Sequence, residues 1–357
     1  MAVHFHPLAV KEIRRETADC VSISFDIPAD LKDVFKFQQG QNITIKALVN
    51  GEECRRSYSI CSAPYEAELR VAVKQISGGR FSTYANASLI TGDILQVMPP
   101  TGKFNTNLDP LHKKNYVAFA AGSGITAIIS LIKTTLDAES QSKFTLVYSN
   151  RNKNSIIFFE EIEALKNKYL QRFNLIHLLS REKTDAPINE GRIDNSKMHS
   201  LSALINYQNI DEFFICGPAQ MMVCVKEYLQ NVNIIPDRIH TEMFTVPGQQ
   251  VVAENSIIVD ESLPKSKINI RLDGRSFGFD LAFNADTILD AALKQGADLP
   301  FACKGGVCAT CRAKVVSGEI KMKVNYALEA AEIANGFILT CQAIPISDGV
   351  MIDFDIK

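Results

Sequence analysis

The sequence predicts a multidomain α+β protein: an antiparallel β-barrel, then a parallel α/β domain, then a small α+β domain at the C-terminus. Three observations carry that reading. Residues 41 to 75 are rich in strand text (QNITIKALV, RRSYSICS, ELRVAVKQI) with turn residues between, as in an antiparallel barrel. Further on, apolar strands alternate with helical text. Near the end, the stretch CKGGVCATC places Cys303, Cys308 and Cys311 on one glycine-bearing loop.

Composition narrows the functions open to such a chain. At 357 residues and 46% hydrophobic content it can fill two or three cores. A net charge of −2 offers no strong field to recruit nucleic acid or an anionic membrane, so neither is an expected partner. The N-terminus MAVHFHPLAVKE has no basic segment followed by an apolar run, so no secretory signal is read there. The longest charge-free stretch, Asn115 to Ile132, is broken by Gly122-Ser123-Gly124 and reads as strand, turn and helix start, not as a membrane span. A cytoplasmic location is the expectation. Nine cysteines, an odd number, then argue for reduced thiols and a metal site, not for a disulfide framework.

In the barrel text, Arg56-Ser57-Tyr58-Ser59 lies on a strand and is followed by SGGRFSTYA. This combination resembles the ferredoxin–NADP reductase superfamily. The resemblance implies that Tyr58 stacks on a flavin isoalloxazine, that Ser59 hydrogen-bonds near its N5, and that Arg56 meets the phosphates. Gly79 to Ser82 match a Gly-x-x-Ser that opens a helix, whose N-terminal N–H groups suit a pyrophosphate. Read alone, Tyr58 is one aromatic of a barrel wall and Gly78-Gly79 a turn.

The α/β text begins with YVAFAAGSGITAIISLIKTTL: strand, glycine turn, amphipathic helix. FTLVYSN, FNLIHLLS and EFFICG follow as apolar strands with helical text such as FFEEIEALKNKYL between them. Ligands bind at the carboxyl ends of such strands, where Gly122 and Gly124 would let a pyrophosphate approach the backbone. The superfamily writes this turn Gly-x-Gly-x-Thr-Pro. Here Thr126 keeps the pattern and Ala127 stands in place of proline, from which a slightly less rigid loop is expected.

A 2′-phosphate on the adenosine ribose asks for arginine, and a free ribose for an acidic residue. Arg151 follows VYSN, Ser180-Arg181 closes the next strand, and Gly191 precedes Arg192. These positions resemble the superfamily's 2′-phosphate contacts, and no acidic residue ends the first two strands, so NADPH is the preferred nucleotide. Arginines on solvated loops are the competing reading, strongest for Arg192. The superfamily also places a Cys-Gly-Pro segment beside the nicotinamide and a terminal Glu-x-Phe toward the flavin. That assigns Cys216, Gly217, Pro218, Glu242 and Phe244, with Ser59, Cys216 and Glu242 as candidate catalytic residues; a core cysteine and an ordinary surface glutamate are the alternatives. FAD in preference to FMN rests on the Gly-x-x-Ser segment and Phe244.

In the C-terminal text, INIRLDGRSFGFDL reads as two strands about Asp273-Gly274 and TILDAALKQGADLP as a short helix. With Cys341 the thiols follow C-x4-C-x2-C-x29-C, the plant-type spacing for a [2Fe–2S] cluster. Structural zinc also takes four thiolates but usually pairs short C-x2-C knuckles. The segment is expected to be a β-grasp, ferredoxin-like domain. With 10 Lys+Arg and 11 Asp+Glu over residues 266–357, it lacks the acidity by which a diffusible ferredoxin could steer to a reductase.

From about residue 5 to 357 the chain resembles the reductase component of bacterial phenylacetyl-CoA epoxidase systems, most closely in RRSYSIC, GRFS, AAGSGIT, CGPAQMM, ILDAALKQGADLPFACKGGVCATC and the stretch around NYALEAAEIANGFILTCQA. The resemblance implies an FAD-binding barrel over 1–108, an NADP-binding domain over 109–246, a linker over 247–265 and the [2Fe–2S] domain over 266–357. It further implies electron flow from NADPH through FAD and the cluster to a di-iron oxygenase that epoxidises the aromatic ring. The chain's own six histidines include no Glu-x-x-His of the di-iron type, so any oxygen chemistry belongs to a partner. No acid–base residue is essential to that scheme, and single substitutions away from the cluster thiols are expected to be mild. The alternatives are the same reductase serving another oxygenase, such as a Rieske enzyme, and a redox-sensing subunit that binds nicotinamide without turnover.

Overall fold

The computed structural model describes residues 4–244, 264–283 and 286–356. It divides into two compact units, one spanning His6–Phe244 and the other holding His4, Phe5 and the described residues from 264 on.

The first unit opens with six antiparallel strands: β1 (His6–Thr17), β2 (Cys20–Asp26), β3 (Asn42–Val49), β4 (Glu52–Ser59), β5 (Leu69–Lys74) and β6 (Ile94–Val97), with helix α1 (Arg80–Ala87) after β5. Their order is β4-β3-β6-β1-β2-β5, and an Ile60–Val71 bridge joins the ends into a barrel. The β3–β4 turn is Asn50-Gly51 with φ of 54° and 81°, the left-handed pair that sets a two-residue hairpin and its register. Alternate residues such as Ile43, Ile45, Val71 and Val97 point inward and are fully buried with Phe81 and Ala85 of α1.

A parallel sheet follows, from β7 (Asn115–Ala121), α2 (Ile125–Ala138), β8 (Lys143–Asn150), α3 (Phe159–Lys168), β9 (Phe173–Leu179), α4 (Asn195–Leu201), β10 (Glu212–Cys216), α5 (Ala219–Asn231) and β11 (Ile239–Glu242). The strand order β11-β10-β7-β8-β9 reverses direction between β7 and β10, and that switch point opens a crevice at the strands' carboxyl ends. Helix α2, buried along most of its length, is shared by sheet and barrel. Ser130 Oγ donates to Ser62 O (2.7 Å), and the buried Lys133 ammonium pairs with Glu66 and Glu161.

The second unit is β12 (Lys265–Leu272), β13 (Arg275–Ala282), α6 (Ile288–Lys294), β14 (Arg312–Ser317), β15 (Ile320–Met322), α7 (Ala330–Ala334), β16 (Phe337–Leu339), β17 (Ala343–Pro345) and β18 (Val350–Asp353). A mixed sheet of order β13-β12-β18-β14-β16 grips α6, whose Ile288, Leu289 and Ala292 are buried with Ile268, Ile270 and Ile352. This is the expected β-grasp arrangement. Asp273-Gly274 makes the expected turn, both backbone N–H groups donating to Asp355 at 2.8 Å. Of the expected linker 247–265, residues 247–263 lie outside the described residues. Among the described residues, no helix is long and apolar enough to cross a membrane.

Glu212, at the start of β10, ties the segment after the barrel to the sheet. It accepts from Thr106 Oγ1 (2.8 Å) and Lys114 Nζ (2.7 Å) and meets His240 Nε2 at 3.2 Å. Burial raises its pKa, but these hydrogen bonds outweigh burial and hold the carboxyl at about 2, below its ordinary 4.5. The stabilisation is therefore complete above pH 4.5 and is lost as pH falls from there toward 2. Glu212→Gln is expected to lose about 2–3 kcal/mol at pH 7 and to flatten the acid limb of stability, read by urea unfolding across pH.

Candidate functional site

Two pairs of strands bring the candidate catalytic residues to one corner. The β3–β4 register sets Asn42 opposite Ser59, and the β10–β11 register sets Cys216 opposite Glu242. Ser59 Oγ donates to Glu242 Oε2 at 3.1 Å, closing the barrel edge onto the sheet. Glu242 keeps part of its surface accessible, yet its carboxyl is enclosed enough that desolvation raises its pKa to about 7 against the lowering effect of hydrogen bonds from Ser59 and Asn42. Cys216 is fully buried; burial and then the Glu242 charge push its thiol well above the ordinary range. An inert, protonated Cys216 fits a packing and positioning part better than a nucleophilic one.

Tyr58, half-buried one residue before Ser59, lies against Phe81 with ring centroids 5.5 Å apart. Arg56 is exposed and donates to Arg55 O at 2.7 Å. Gly79 is the N-cap of α1, and a Cβ there would stand 2.4 Å from Ser82 Oγ. Ser82 is buried, accepting from Ile76 N–H (3.2 Å) and donating to Gly79 O (3.2 Å), so its hydroxyl shapes the turn. Phe244 is 36% exposed, two residues past Glu242.

Past the ends of β7 and β10 two glycines let the loops touch. A Cβ on Gly124 would lie 2.0 Å from Cys216 O, and one on Gly217 would lie 3.2 Å from the Ala121 backbone N. Gly122 adopts φ 53°, its carbonyl accepting from Tyr148 Oη at 3.0 Å, while Thr126 Oγ1 donates to Ser123 O (3.0 Å). Ala127 is fully buried in the first turn of α2, and Pro218 is the N-cap of α5.

Arg151, Arg181 and Arg192 are all exposed and stand on neighbouring strand ends. The β8–β9 pairing runs past the strands through Ser180 N–H to Asn150 O (3.0 Å) and Arg181 N–H to Arg151 O (2.8 Å). A parallel bridge from Leu179 to Glu190 then sets Gly191-Arg192 beside the same edge. No ion pair holds any of the three guanidinium groups among the described residues.

In the second unit the four cysteines converge. Lys304, Gly306 and Ala309 all have positive φ (51°, 77° and 52°), curling the loop so that Gly305 N–H donates to Cys303 Sγ at 3.3 Å. The distant Cys341 arrives through the β14–β16 ladder, which pairs Arg312 with Leu339, and Thr340 then bonds Cys311 O through its N–H (3.1 Å) and Oγ1 (3.0 Å). The Cys308 thiol meets that of Cys303, and this contact and burial raise it well above the ordinary range. For Cys341, a hydrogen bond with Cys303 lowers the pKa, but the neighbouring Cys311 and burial carry it up to about 12. Thiols that resist ionisation singly become thiolates together only around a cation. Four converging sulfurs with a loop N–H among them fit a two-iron cluster, which asks for two thiolates per iron.

Asn42 is the site residue that motif reading missed. The signal was present: an Asn50-Gly51 hairpin turn fixes the register that sets Asn42 opposite Ser59.

Comparison with known proteins agrees with this architecture. Family models match an oxidoreductase FAD-binding domain over residues 7–106, an oxidoreductase NAD-binding domain over 119–227 and a 2Fe-2S iron-sulfur cluster binding domain over 270–345. A component of the 1,2-phenylacetyl-CoA epoxidase of Escherichia coli (strain K12) is 45% identical, covering 99% of this chain and 98% of its own length. The ferredoxin reductase component of a 3-ketosteroid-9-alpha-monooxygenase from Rhodococcus rhodochrous is 32% identical, over 97% and 96%. Among solved structures, phthalate dioxygenase reductase shares the fold, with a TM-score of 0.61, 22% identity and 98% of both chains covered. With a 45% identical relative matched along nearly its whole length, the chain belongs to the family of the phenylacetyl-CoA epoxidase reductase component, within the ferredoxin–NADP reductase superfamily.

Proposed function

We propose that this chain prefers NADPH and passes its electrons to a di-iron oxygenase that epoxidises the ring of phenylacetyl-CoA. The coarser activity, electron transfer from a pyridine nucleotide to an oxygenase, follows from the family. The observation that carries the site assignment is the 3.1 Å Ser59–Glu242 hydrogen bond, which sets the flavin strand of the barrel against the nicotinamide end of the sheet. The whole-length identity to the epoxidase component supports the acceptor.

When bound, FAD, NADPH and the [2Fe–2S] cluster supply the chemistry that turns one hydride into two single electrons. The chain supplies position and a proton path. Arg56 and the start of α1 would hold the flavin phosphates, Tyr58 and Phe244 its ring; Gly122, Gly124, Thr126, Gly217 and Pro218 shape the dinucleotide crevice. Cys303, Cys308, Cys311 and Cys341 would hold the cluster. Each hydride that leaves as two electrons leaves one proton behind. Ser59 can take that proton on Oγ while passing its own to Glu242, whose pKa of about 7 makes it ready to accept near neutral pH. This gives Glu242 an acid–base part that the sequence alone did not require.

Glu242→Gln is expected to slow coupled turnover about tenfold and to remove a rise in rate with pH through about 7, read from a pH profile of kcat. Arg151, Ser180, Arg181 and Arg192 would cradle the 2′-phosphate. Removing one charge-assisted contact, as in Arg181→Ala, should raise KM for NADPH about tenfold and leave KM for NADH within twofold. The acceptor is tested with the oxygenase proteins of the same host. Phenylacetyl-CoA conversion is expected with the native chain and is lost in Cys308→Ser, whose flavin stays bound. NADPH-driven cytochrome c reduction without any conversion would remove this acceptor and keep the reductase.

A further inference from the structure

The C-terminal unit carries an open groove of about 640 Å³ between two strand edges. One side is β15, whose ladder partner is β17; the other is β16, the end strand of the five-stranded sheet. Ile320 and Met322 line it from the first, Phe337 and Ile338 from the second, and Ile333 and Ile346 line it while staying 43% and 51% exposed. These last two side chains are not held in the core, and apolar groups on an otherwise polar surface mark a contact site.

The groove lining touches the cysteine loop. A Cβ on Gly306, within the cysteine loop, would lie 3.4 Å from Val324 Cγ2 of the groove lining. Lys323 N–H donates to Gln342 O (2.9 Å), and the Gln342 side-chain amide reaches Cys341 Sγ at 3.6 Å. A protein seated here stands close to Cys341 along a hydrogen-bonded path.

The rim has a sign of its own. Lys323 and Glu319 are the charged residues of the lining; Lys321, next to Lys323, is exposed, and Lys314 Nζ sits 5.5 Å from the ring of the lining residue Phe337. Arg312 stacks on Phe337 at 3.6 Å but is paired with Glu332 at 2.9 Å. Of the 10 Lys+Arg and 11 Asp+Glu in residues 266–357, setting aside these three lysines and Glu319 leaves seven basic and ten acidic. In and beside the groove three lysines thus stand against one glutamate, on a unit whose net charge is −1.

We propose that this groove docks the electron-accepting oxygenase, a protein that presents an apolar protrusion ringed by carboxylates. The inference rests on the electron-delivering role proposed above. Apolar seating supplies affinity, and charge complementarity supplies rate and orientation. A cluster joined covalently to its own flavin domain does not need such steering, so these lysines serve a separate molecule.

The test uses the full-length holoprotein, native or carrying Ile333→Glu or the pair Lys321→Glu with Lys323→Glu. Two rates are read: bleaching of the cluster absorption by NADPH without oxygenase, and phenylacetyl-CoA conversion as a function of oxygenase concentration. The expected result is native bleaching in both variants, with KM for the oxygenase raised about tenfold or more and kcat within twofold. Added salt should weaken the native coupling and leave the lysine pair variant nearly unaffected. Unchanged KM in both variants overturns the docking face and leaves the reductase role standing. Slowed bleaching overturns it too, assigning the groove to the chain's own flavin domain. A native chain that bleaches its cluster yet gives no conversion at any oxygenase concentration overturns the acceptor reading and the docking face with it. Should Ile333→Glu lose its cluster, the exposed lysine pair decides.

Discussion

The hydrogen bond from Ser59 to Glu242 is the constraint on which the first unit depends. It spans 183 positions of sequence and joins the last residue of a barrel strand to the last residue of a parallel strand. Each partner is held by its own ladder, Ser59 opposite Asn42 and Glu242 opposite Cys216. Shifting either register by one residue would turn the side chain to the other face of its sheet and break the contact. Barrel and sheet are thereby made to share one corner, which the proposed reading assigns to the meeting of hydride donor and flavin.

Several further contacts hold the barrel and sheet in that relation. Ser130 on α2 reaches Ser62 O, and the Lys133 ammonium lies between Glu66 and Glu161 in surroundings that leave it almost no solvent. Removing one partner of such a buried pair costs far more than the pair contributes, so it resists drift more than it adds stability. The apolar core also runs without a break from Cys20, Cys61 and Ala72 of the barrel to Ile128 and Phe144 of the sheet. Glycine plays the opposite part: at Gly124 the lack of a side chain lets the two nucleotide loops approach.

Much of this was readable in the sequence because it is written in local signals. The four thiols follow from spacing, and the αL glycine and turn residues of their loop from composition. Strand period, the Asn50-Gly51 and Asp273-Gly274 turns and the AAGSGIT stretch mark the barrel hairpin, the β-grasp hairpin and the nucleotide turn. What stayed out of reach depends on distance through space. Nothing local to Glu242 announces that desolvation raises its pKa to about 7, nor does anything near Lys133 announce its two carboxylate partners. The groove beside Cys341 is likewise invisible in sequence, since it lies between β15 and β16, which do not pair with one another.

One chain carries the domains for the whole path from nicotinamide to cluster. Anaerobic stopped-flow mixing with NADPH, following the flavin and cluster absorptions at several protein concentrations, tests it most directly. The flavin bands should change first, the cluster should follow, and its reduction rate should be independent of protein concentration, as a tether requires. A cluster rate that rises in proportion to protein concentration, or a cluster that stays oxidised while the flavin turns over, would contradict it.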